Sequence, residues 1–167
     1  PVTRTPIRVG IACLGTVGKT LAKALDDGLP GLTLAAIRVR NEAQARASVS
    51  LAGTPVFTTV GQLADYCDVV VEGAPSALMS ESATPVLKAG KTMMVLRAGA
   101  LLHNAELIEL AKTHGGQIIV PTGALLGLDA VSAAAEGTIH SVTMTTRKPV
   151  RGLVGAPYLV EHNIVIE

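Results

Sequence analysis

The sequence predicts an α/β fold in which a parallel sheet is covered by helices on both faces. Apolar runs of strand length alternate with segments of helical periodicity from residue 7 to about residue 136. Such alternation is typical of parallel strands joined by right-handed helical crossovers, which is the doubly wound arrangement. The composition agrees, because 49% of the 167 residues are hydrophobic and 16% are charged, as expected for a sheet buried on both faces.

The predicted elements follow one another in regular order. Six strands are expected, at Ile7–Ala12, Leu32–Val39, Val56–Thr58, Val69–Glu72, Thr92–Leu96 and Gln117–Val120. Six helices are expected, at Val17–Leu25, Glu42–Ser50, Val60–Asp65, Ser76–Ala89, Asn104–His114 and Leu128–Glu136. Glycines just past four of these helices are expected to end them in the left-handed conformation, at Gly28, Gly90, Gly115 and Gly137. Asn41 is expected to cap the second helix, and Pro85 to bend the fourth helix or to mark its start.

The pattern changes after residue 136. Residues Ile139–Thr146 alternate apolar and polar side chains, which predicts a strand with one solvated face. Glycine and proline are then frequent as far as Pro157. We therefore expect a first domain over residues 1–136, followed over residues 137–167 by the beginning of a second α+β domain that this chain leaves incomplete. The bare apolar face of such a strand predicts either a longer native protein or self-association through residues 139–167. A homo-oligomer is therefore expected, a dimer in the first place.

The first predicted strand passes through a glycine turn directly into the first helix. Gly15 and Gly18 occupy the second and third positions of a Gly-x-Gly-x-x-Gly motif, whereas Cys13 replaces the first glycine. In that motif the second glycine lets a pyrophosphate approach the backbone and the third lets helix and strand pack closely. The helix also aims free N–H groups at the turn. The stretch Gly15, Thr16, Val17 and Gly18 therefore predicts the pyrophosphate site of a Rossmann-like NAD(P)-binding domain, with an ordinary β-to-α turn as the alternative.

Ligands of doubly wound sheets bind outside the carboxyl ends of the strands, so the residues after each strand are further candidates. Arg38 and Arg40 lie at the end of the second strand, where no acidic residue would bind a ribose 2′-hydroxyl. They favour NADP at least as much as NAD, the alternative being solvated surface arginines. Small residues that would admit ribose or nicotinamide follow the other strands: Gly73, Ala74 and Pro75, then Ala98 and Gly99, and finally Ala124.

Charge and composition argue against several other classes of protein. The net charge is +1, aromatic residues make up 2% of the chain and tryptophan is absent, which argues against a nucleic-acid partner. No apolar run has transmembrane length and no signal-peptide core is present, so we expect no membrane association and a cytoplasmic location. Cys13 and Cys67 form no metal-type or redox pair, and no metal site is expected.

Several later segments resemble the L-aspartate dehydrogenase family. They are Val95-Leu-Arg-Ala-Gly-Ala-Leu101, Val120-Pro-Thr-Gly-Ala-Leu-Leu-Gly-Leu-Asp-Ala130, Val142-Thr-Met-Thr-Thr-Arg-Lys-Pro149 and Gly152–Tyr158. The resemblance implies oxidative deamination of L-aspartate by NAD or NADP, through iminoaspartate, to oxaloacetate and ammonia. In bacteria that imine can feed quinolinate and NAD synthesis. The resemblance also implies that Gly15–Gly18 hold the pyrophosphate and that Ala124 contacts the cofactor.

The chain departs from the family pattern at a few positions. Cys13 replaces a glycine and Thr122 replaces a serine, while Arg97 stands where the family commonly has a small serine. We assign Arg97 to substrate binding, because its planar fork suits a carboxylate. The alternatives are that it binds a cofactor phosphate, blocks the site or faces solvent. Family members continue past Glu167 with the substrate-side sheet and the acid/base histidine. Residues 137–167 would then begin the substrate and dimerisation domain.

The resemblance therefore implies that these 167 residues by themselves do not oxidise L-aspartate at a useful rate. Within the chain, Lys148 and His140 are the candidates for a catalytic group, and a charged strand end and a solvated histidine are the alternatives. Two rival functions also fit the fold, namely a non-catalytic dinucleotide-binding or partner-binding module and a related Rossmann dehydrogenase with another substrate. Fold class does not choose among these functions.

Overall fold

The computed structural model describes residues 5–73, 76–123 and 127–166. The chain forms two compact units, Pro1–Ala124 and Leu125–Glu167. The first unit contains the whole predicted sheet, whereas the sixth predicted helix belongs to the second unit. None of the helices in the described ranges is both long enough and apolar enough to cross a membrane.

Among the described residues, the first unit has six strands and five α-helices. Its strands are β1 Ile7–Ile11, β2 Leu32–Arg38, β3 Val56–Thr58, β4 Val69–Glu72, β5 Thr92–Val95 and β6 Gln117–Ile119. Its helices are α1 Thr16–Gly28, α2 Glu42–Ser48, α3 Leu63–Tyr66, α4 Met79–Lys88 and α5 Glu106–His114. All the neighbouring strands run parallel, in the order β3-β2-β1-β4-β5-β6. The predicted doubly wound parallel sheet is confirmed, and each strand ends within one residue of its predicted limit.

Buried side chains form one cluster on each face of this sheet, because successive strand residues point to opposite faces. In β4, Val70 belongs to one cluster and Val71 to the other, and Met93 and Met94 divide in the same way in β5. The first cluster packs the sheet against α3, α4 and α5, and the second packs it against α1. The order of the strands places a switch point between β1 and β4, from which the sheet grows in opposite directions.

Most of the residues predicted to cap or end a helix adopt the expected conformation. The Asn41 side chain accepts a hydrogen bond of 3.0 Å from the backbone N–H of Gln44, so it caps α2 as expected. Gly28, Gly90 and Gly115 have positive φ angles. Gly137 does not adopt a positive φ angle, and the prediction for it is wrong: its N–H closes a simple turn with the carbonyl of Ala134 at 3.1 Å.

The third and fourth helices each begin three residues later than predicted, α3 at Leu63 instead of Val60. Ser76–Leu78 form a 3₁₀ turn, and α4 starts at Met79 and runs through Pro85. Pro85 therefore does not mark the start of the helix.

The second unit contains α6 Leu128–Ala134, a 3₁₀ turn at Val150–Gly152 and α7 Pro157–Glu161. Residues 138–149 have no regular secondary structure, so the predicted strand Ile139–Thr146 is wrong. The alternating pattern is real, but a strand is stabilised by backbone and side-chain pairing with a neighbouring strand. In the described residues these side chains face solvent, and Val142 and Met144 are 65% and 68% exposed.

Candidate functional site

The turn between β1 and α1 leads into a helix whose first N–H groups receive no side-chain cap from the described residues. Gly15 precedes the helix in an extended conformation and supplies no side-chain cap. The first turn of α1 contains no acidic residue. The N–H groups and the positive end of this 13-residue helix are therefore available to an anion.

The two glycines of the turn have different roles. A Cβ on Gly18 would lie 1.9 Å from the carbonyl oxygen of Cys13, so Gly18 is required for the close approach of α1 to the loop. A Cβ on Gly15 would meet no atom nearer than the Cys13 Sγ, at 3.9 Å, and Gly15 has an ordinary φ of −70°. The fold itself therefore does not require glycine at position 15, and the open space above its backbone can admit a ligand.

A cleft of about 330 Å³ opens in front of this turn. We call it the glycine cleft. Six predicted site residues line it, namely Gly15, Thr16, Val17, Gly18, Gly73 and Arg97. It lies where the carboxyl ends of β1 and β4 meet, at the switch point of the sheet, and this is where doubly wound folds bind ligands. Among the described residues that line this cleft, Arg97 is the cationic one, and it is exposed.

A second cleft, of about 380 Å³, lies at the end of β2 and the start of α2. We call it the cationic cleft, because Lys19, Arg38 and Arg40 line it and none of the described residues that line it is acidic. Cys13 lines both clefts, so the two adjoin at the glycine turn. Arg38 and Arg40 are thus brought together as predicted, but in a different cleft from Arg97.

The remaining predicted site residues are not part of these clefts. Ala98 and Gly99 are exposed at the start of a 3₁₀ segment directly after Arg97, and neither lines either cleft. Ala74, Pro75 and Ala124 lie outside the described residues. Lys148 and His140 belong to the second unit, where both are exposed in the segment without regular structure.

Sequence analysis missed several residues of the cationic cleft, above all Lys19. Lys19 directly follows the glycine turn and therefore occupies the first turn of α1, a position from which the motif spacing could have identified it. Asn41, Gln44 and Ser48 also line the cleft from the cap and one side of α2. Their spacing of three to four residues is the signal that places them together on one helical face.

An ionic cluster lies at the opposite edge of the sheet, where β1, β4 and β5 begin. Asp68 accepts hydrogen bonds from the Arg8 backbone N–H at 3.0 Å, from Arg8 Nε at 3.1 Å and from an Arg8 terminal nitrogen at 2.7 Å. Lys91 Nζ lies 3.7 Å from the same carboxylate. The Arg8 side chain and backbone hydrogen bonds hold the pKa of Asp68 well below its usual value. Asp68 therefore remains ionised and joins the beginnings of β1, β4 and β5.

The glycine turn and the two clefts fit the parts of a dinucleotide. The uncapped helix and the space above Gly15 suit a pyrophosphate, and the two clefts that adjoin the turn suit the two nucleosides. The donor set is also appropriate, because cations and backbone N–H groups face these spaces.

Comparison with known proteins agrees with this geometry. A sequence profile described as the NAD-binding domain of homoserine dehydrogenase matches residues 14–121. The chain is 50% identical over 162 residues to an L-aspartate dehydrogenase of Bradyrhizobium diazoefficiens, an alignment that covers 96% of the chain and 58% of that protein. It is 44% identical to L-aspartate dehydrogenase 3 of Bordetella bronchiseptica over 99% of the chain and 61% of that protein. The chain thus spans about three fifths of the length of the curated relatives it matches.

Solved structures share the fold. A 3-ketoreductase of Actinomadura kijaniata, crystallised with NADP, superposes with a TM-score of 0.61 at 20% identity, over 78% of this chain and 43% of that one. A Synechocystis biliverdin reductase superposes with a TM-score of 0.60 at 23% identity, over 79% and 42% of the two chains. At these identities the likeness concerns the fold only. The profile match, the sheet order and the glycine turn together show that the chain belongs to the family of the homoserine dehydrogenase NAD-binding domain, whose cofactor is NAD or NADP.

Proposed function

We propose that the chain is the cofactor-binding part of an NAD(P)-dependent L-aspartate dehydrogenase. The observation that carries the proposal is the 50% identity to the Bradyrhizobium enzyme across 96% of the chain. The match to L-aspartate dehydrogenase 3 of Bordetella bronchiseptica, at 44% identity, supports the same substrate. The two clefts support it further, because the glycine turn and the cations that line them suit the nucleotide that this chemistry needs.

The reaction follows from the substrate. The amine-bearing carbon of L-aspartate loses a hydride and its nitrogen loses a proton, which yields iminoaspartate, and water then converts this imine to oxaloacetate and ammonia. NAD or NADP, when bound, accepts the hydride. The residues of this chain bind and orient: the first turn of α1 holds the pyrophosphate, and Gly15 keeps the space above the backbone open.

Arg97 is the residue that we assign to the substrate. It lines the glycine cleft and is exposed, and no ion pair among the described residues includes it. A guanidinium group binds a carboxylate through two parallel hydrogen bonds, and L-aspartate has two carboxylates. Arg97 is therefore suited to hold the substrate beside the glycine turn.

The direct test measures reduced cofactor formed from L-aspartate by the full-length protein, with L-homoserine and L-glutamate as comparison substrates. We expect aspartate to be oxidised with a kcat/KM at least about tenfold above that of either comparison substrate, because the site must reject longer or uncharged side chains. Preferred oxidation of L-homoserine would contradict the proposal and would favour the reaction after which the family profile is named.

A further inference from the structure

We propose that the cationic cleft selects the 2′-phosphate of NADP through Arg40 and Lys19, and that Glu81 limits this selectivity by neutralising Arg38. The inference rests on the proposed cofactor-binding function and concerns how this chain distinguishes NADP from NAD. The two nucleotides differ only by a phosphate in place of a hydroxyl on the adenosine ribose. The charge of the cleft, and the partner of each cation in it, therefore decide between them.

The first argument is the unbalanced charge of the cleft. Lys19 approaches it from the first turn of α1, Arg38 from the end of β2 and Arg40 from the following loop. The described residues that line the cleft include no carboxylate. A bound ribose 2′-hydroxyl therefore finds no acidic acceptor there, whereas a phosphate would meet positive charge from three directions.

The second argument is that the two arginines are not equivalent. The Arg38 side chain is only 13% exposed, and one of its terminal nitrogens lies 3.6 Å from Oε1 of Glu81 on α4. Arg38 therefore has a carboxylate partner before any ligand arrives. Arg40 is exposed, and neither Arg40 nor Lys19 takes part in an ion pair among the described residues.

The consequence is a division of roles among the three cations. Arg40 and Lys19 can donate their hydrogen bonds to a phosphate without breaking an existing ion pair. The charge of Arg38 is offset by Glu81, so this arginine contributes less to the attraction. The Glu81 carboxylate also repels a phosphate nearby. Glu81 thus acts as a positioning residue that keeps Arg38 against α4 and lowers the preference for NADP.

The experiment compares two small probes by isothermal titration calorimetry: adenosine 2′,5′-bisphosphate and adenosine 5′-monophosphate. The quantity of interest is the ratio of their dissociation constants, which isolates the contribution of the 2′-phosphate and requires no catalysis. The variants are Arg40→Gln, Arg38→Gln and Glu81→Gln. Arg46→Gln is the matched control, because Arg46 lies on α2, pairs with Glu42 and stacks on Phe57 but does not line the cleft.

We expect the wild-type chain to prefer the bisphosphate and Arg40→Gln to reduce the preference about tenfold or more, as when a charge-assisted hydrogen bond is lost. Glu81→Gln should increase the preference about threefold, which corresponds to a partly exposed ion pair. Arg38→Gln should change it less than Arg40→Gln does, and Arg46→Gln should leave it unchanged. Should Arg38→Gln fail to fold, Glu81→Gln still tests the role of Glu81, because its side chain is 55% exposed.

Three results would overturn the inference: equal affinities of the wild-type chain for the two probes, an unchanged ratio in Arg40→Gln, or a reduced ratio in Glu81→Gln. These results differ from a failure of the proposed function. If neither probe binds, the nucleotide site itself is wrong. If the selectivity holds but the full-length protein does not oxidise L-aspartate, only the assigned reaction is wrong.

Discussion

The two edges of the sheet use the same types of charged residue in opposite ways. At the edge where β1, β4 and β5 begin, the cations Arg8 and Lys91 both have Asp68 as partner. At the edge where the strands end, Lys19, Arg40 and Arg97 line open clefts without an ion-pair partner among the described residues. Paired charges hold the strand starts together, whereas unpaired charges are available to a ligand. This difference favours the carboxyl edge as the one that binds a ligand.

Arg38 is intermediate between the two edges. It lies at the carboxyl edge and lines a cleft, yet it has a carboxylate partner in Glu81.

The comparison of the two edges leads to a prediction. Substitutions at the amino edge, where β1, β4 and β5 begin, should change stability and leave binding unchanged. Substitutions of unpaired residues at the carboxyl edge should do the reverse.

The largest effect is expected at Gly18, because its substitution should change both stability and nucleotide binding. Gly18→Ala places a Cβ 1.9 Å from the Cys13 carbonyl oxygen, so α1 must move away from the loop. We expect the free energy of unfolding to fall by about 3 kcal/mol, as for overpacking of a tight contact, and NADPH binding to be lost. Denaturant unfolding and fluorescence titration with NADPH measure the two quantities.

Gly15→Ala is the matched control for this substitution. Its Cβ has room within the protein, so we expect a stability change below about 1 kcal/mol, together with weaker binding of NADH and NADPH. If both alanine variants lost stability equally, the distinction drawn between the two glycines would be wrong.

The second effect concerns Arg97 and is expected in binding only. We expect Arg97→Gln to raise the KM for L-aspartate about tenfold in the full-length protein, because it removes a charge-assisted contact to a carboxylate. The melting temperature and the dissociation constant of NADPH should stay unchanged, since Arg97 is exposed and has no ion-pair partner among the described residues. A weaker affinity for NADPH with an unchanged KM would instead assign Arg97 to a cofactor phosphate.

The third effect concerns Asp68 at the amino edge, and we expect it in stability only. We expect Asp68→Asn to lower the free energy of unfolding by about 1 kcal/mol, because the Asp68 side chain is 40% exposed and solvent screens the pair. Binding of NADPH should not change. Glu109→Gln, which breaks the exposed pair with Lys112 on α5, should cost less and is the control. A loss of nucleotide affinity in Asp68→Asn would contradict the separation of the two edges.

The smallest effect is a change in how stability depends on pH. The pKa of Asp68 is lowered in the folded chain from its usual 3.8, so the folded state favours the ionised form. This contribution to stability is present above the usual pKa and is lost as the pH falls below about 4. We therefore expect the wild-type chain to lose more stability than Asp68→Asn between pH 5 and pH 3, in urea unfolding at fixed ionic strength. Parallel pH profiles of the two proteins would exclude this role for Asp68.

Prediction from sequence succeeded where structure depends on local pattern. Periodicity located all six strands, because each is a short apolar run buried between two layers of helices. It failed at Ile139–Thr146, since an alternating segment becomes a strand only when another strand pairs with it. It also missed α7, although Pro157 at the start of that helix is a position that proline favours.

From the sequence alone, residue types and their spacing were sufficient to predict the doubly wound class of the sheet, the glycine turn and the edge of the sheet at which ligands are expected. The three-dimensional structure was needed to show that Gly18 is required by a contact with Cys13, whereas Gly15 leaves space for a ligand. It was also needed to show that Arg38 has a carboxylate partner, whereas Arg40 has none among the described residues. Glu81 reaches Arg38 from α4 because the sheet brings the end of β2 close to that helix. Such contacts between residues distant in the chain depend on the whole fold and leave no signal in local sequence.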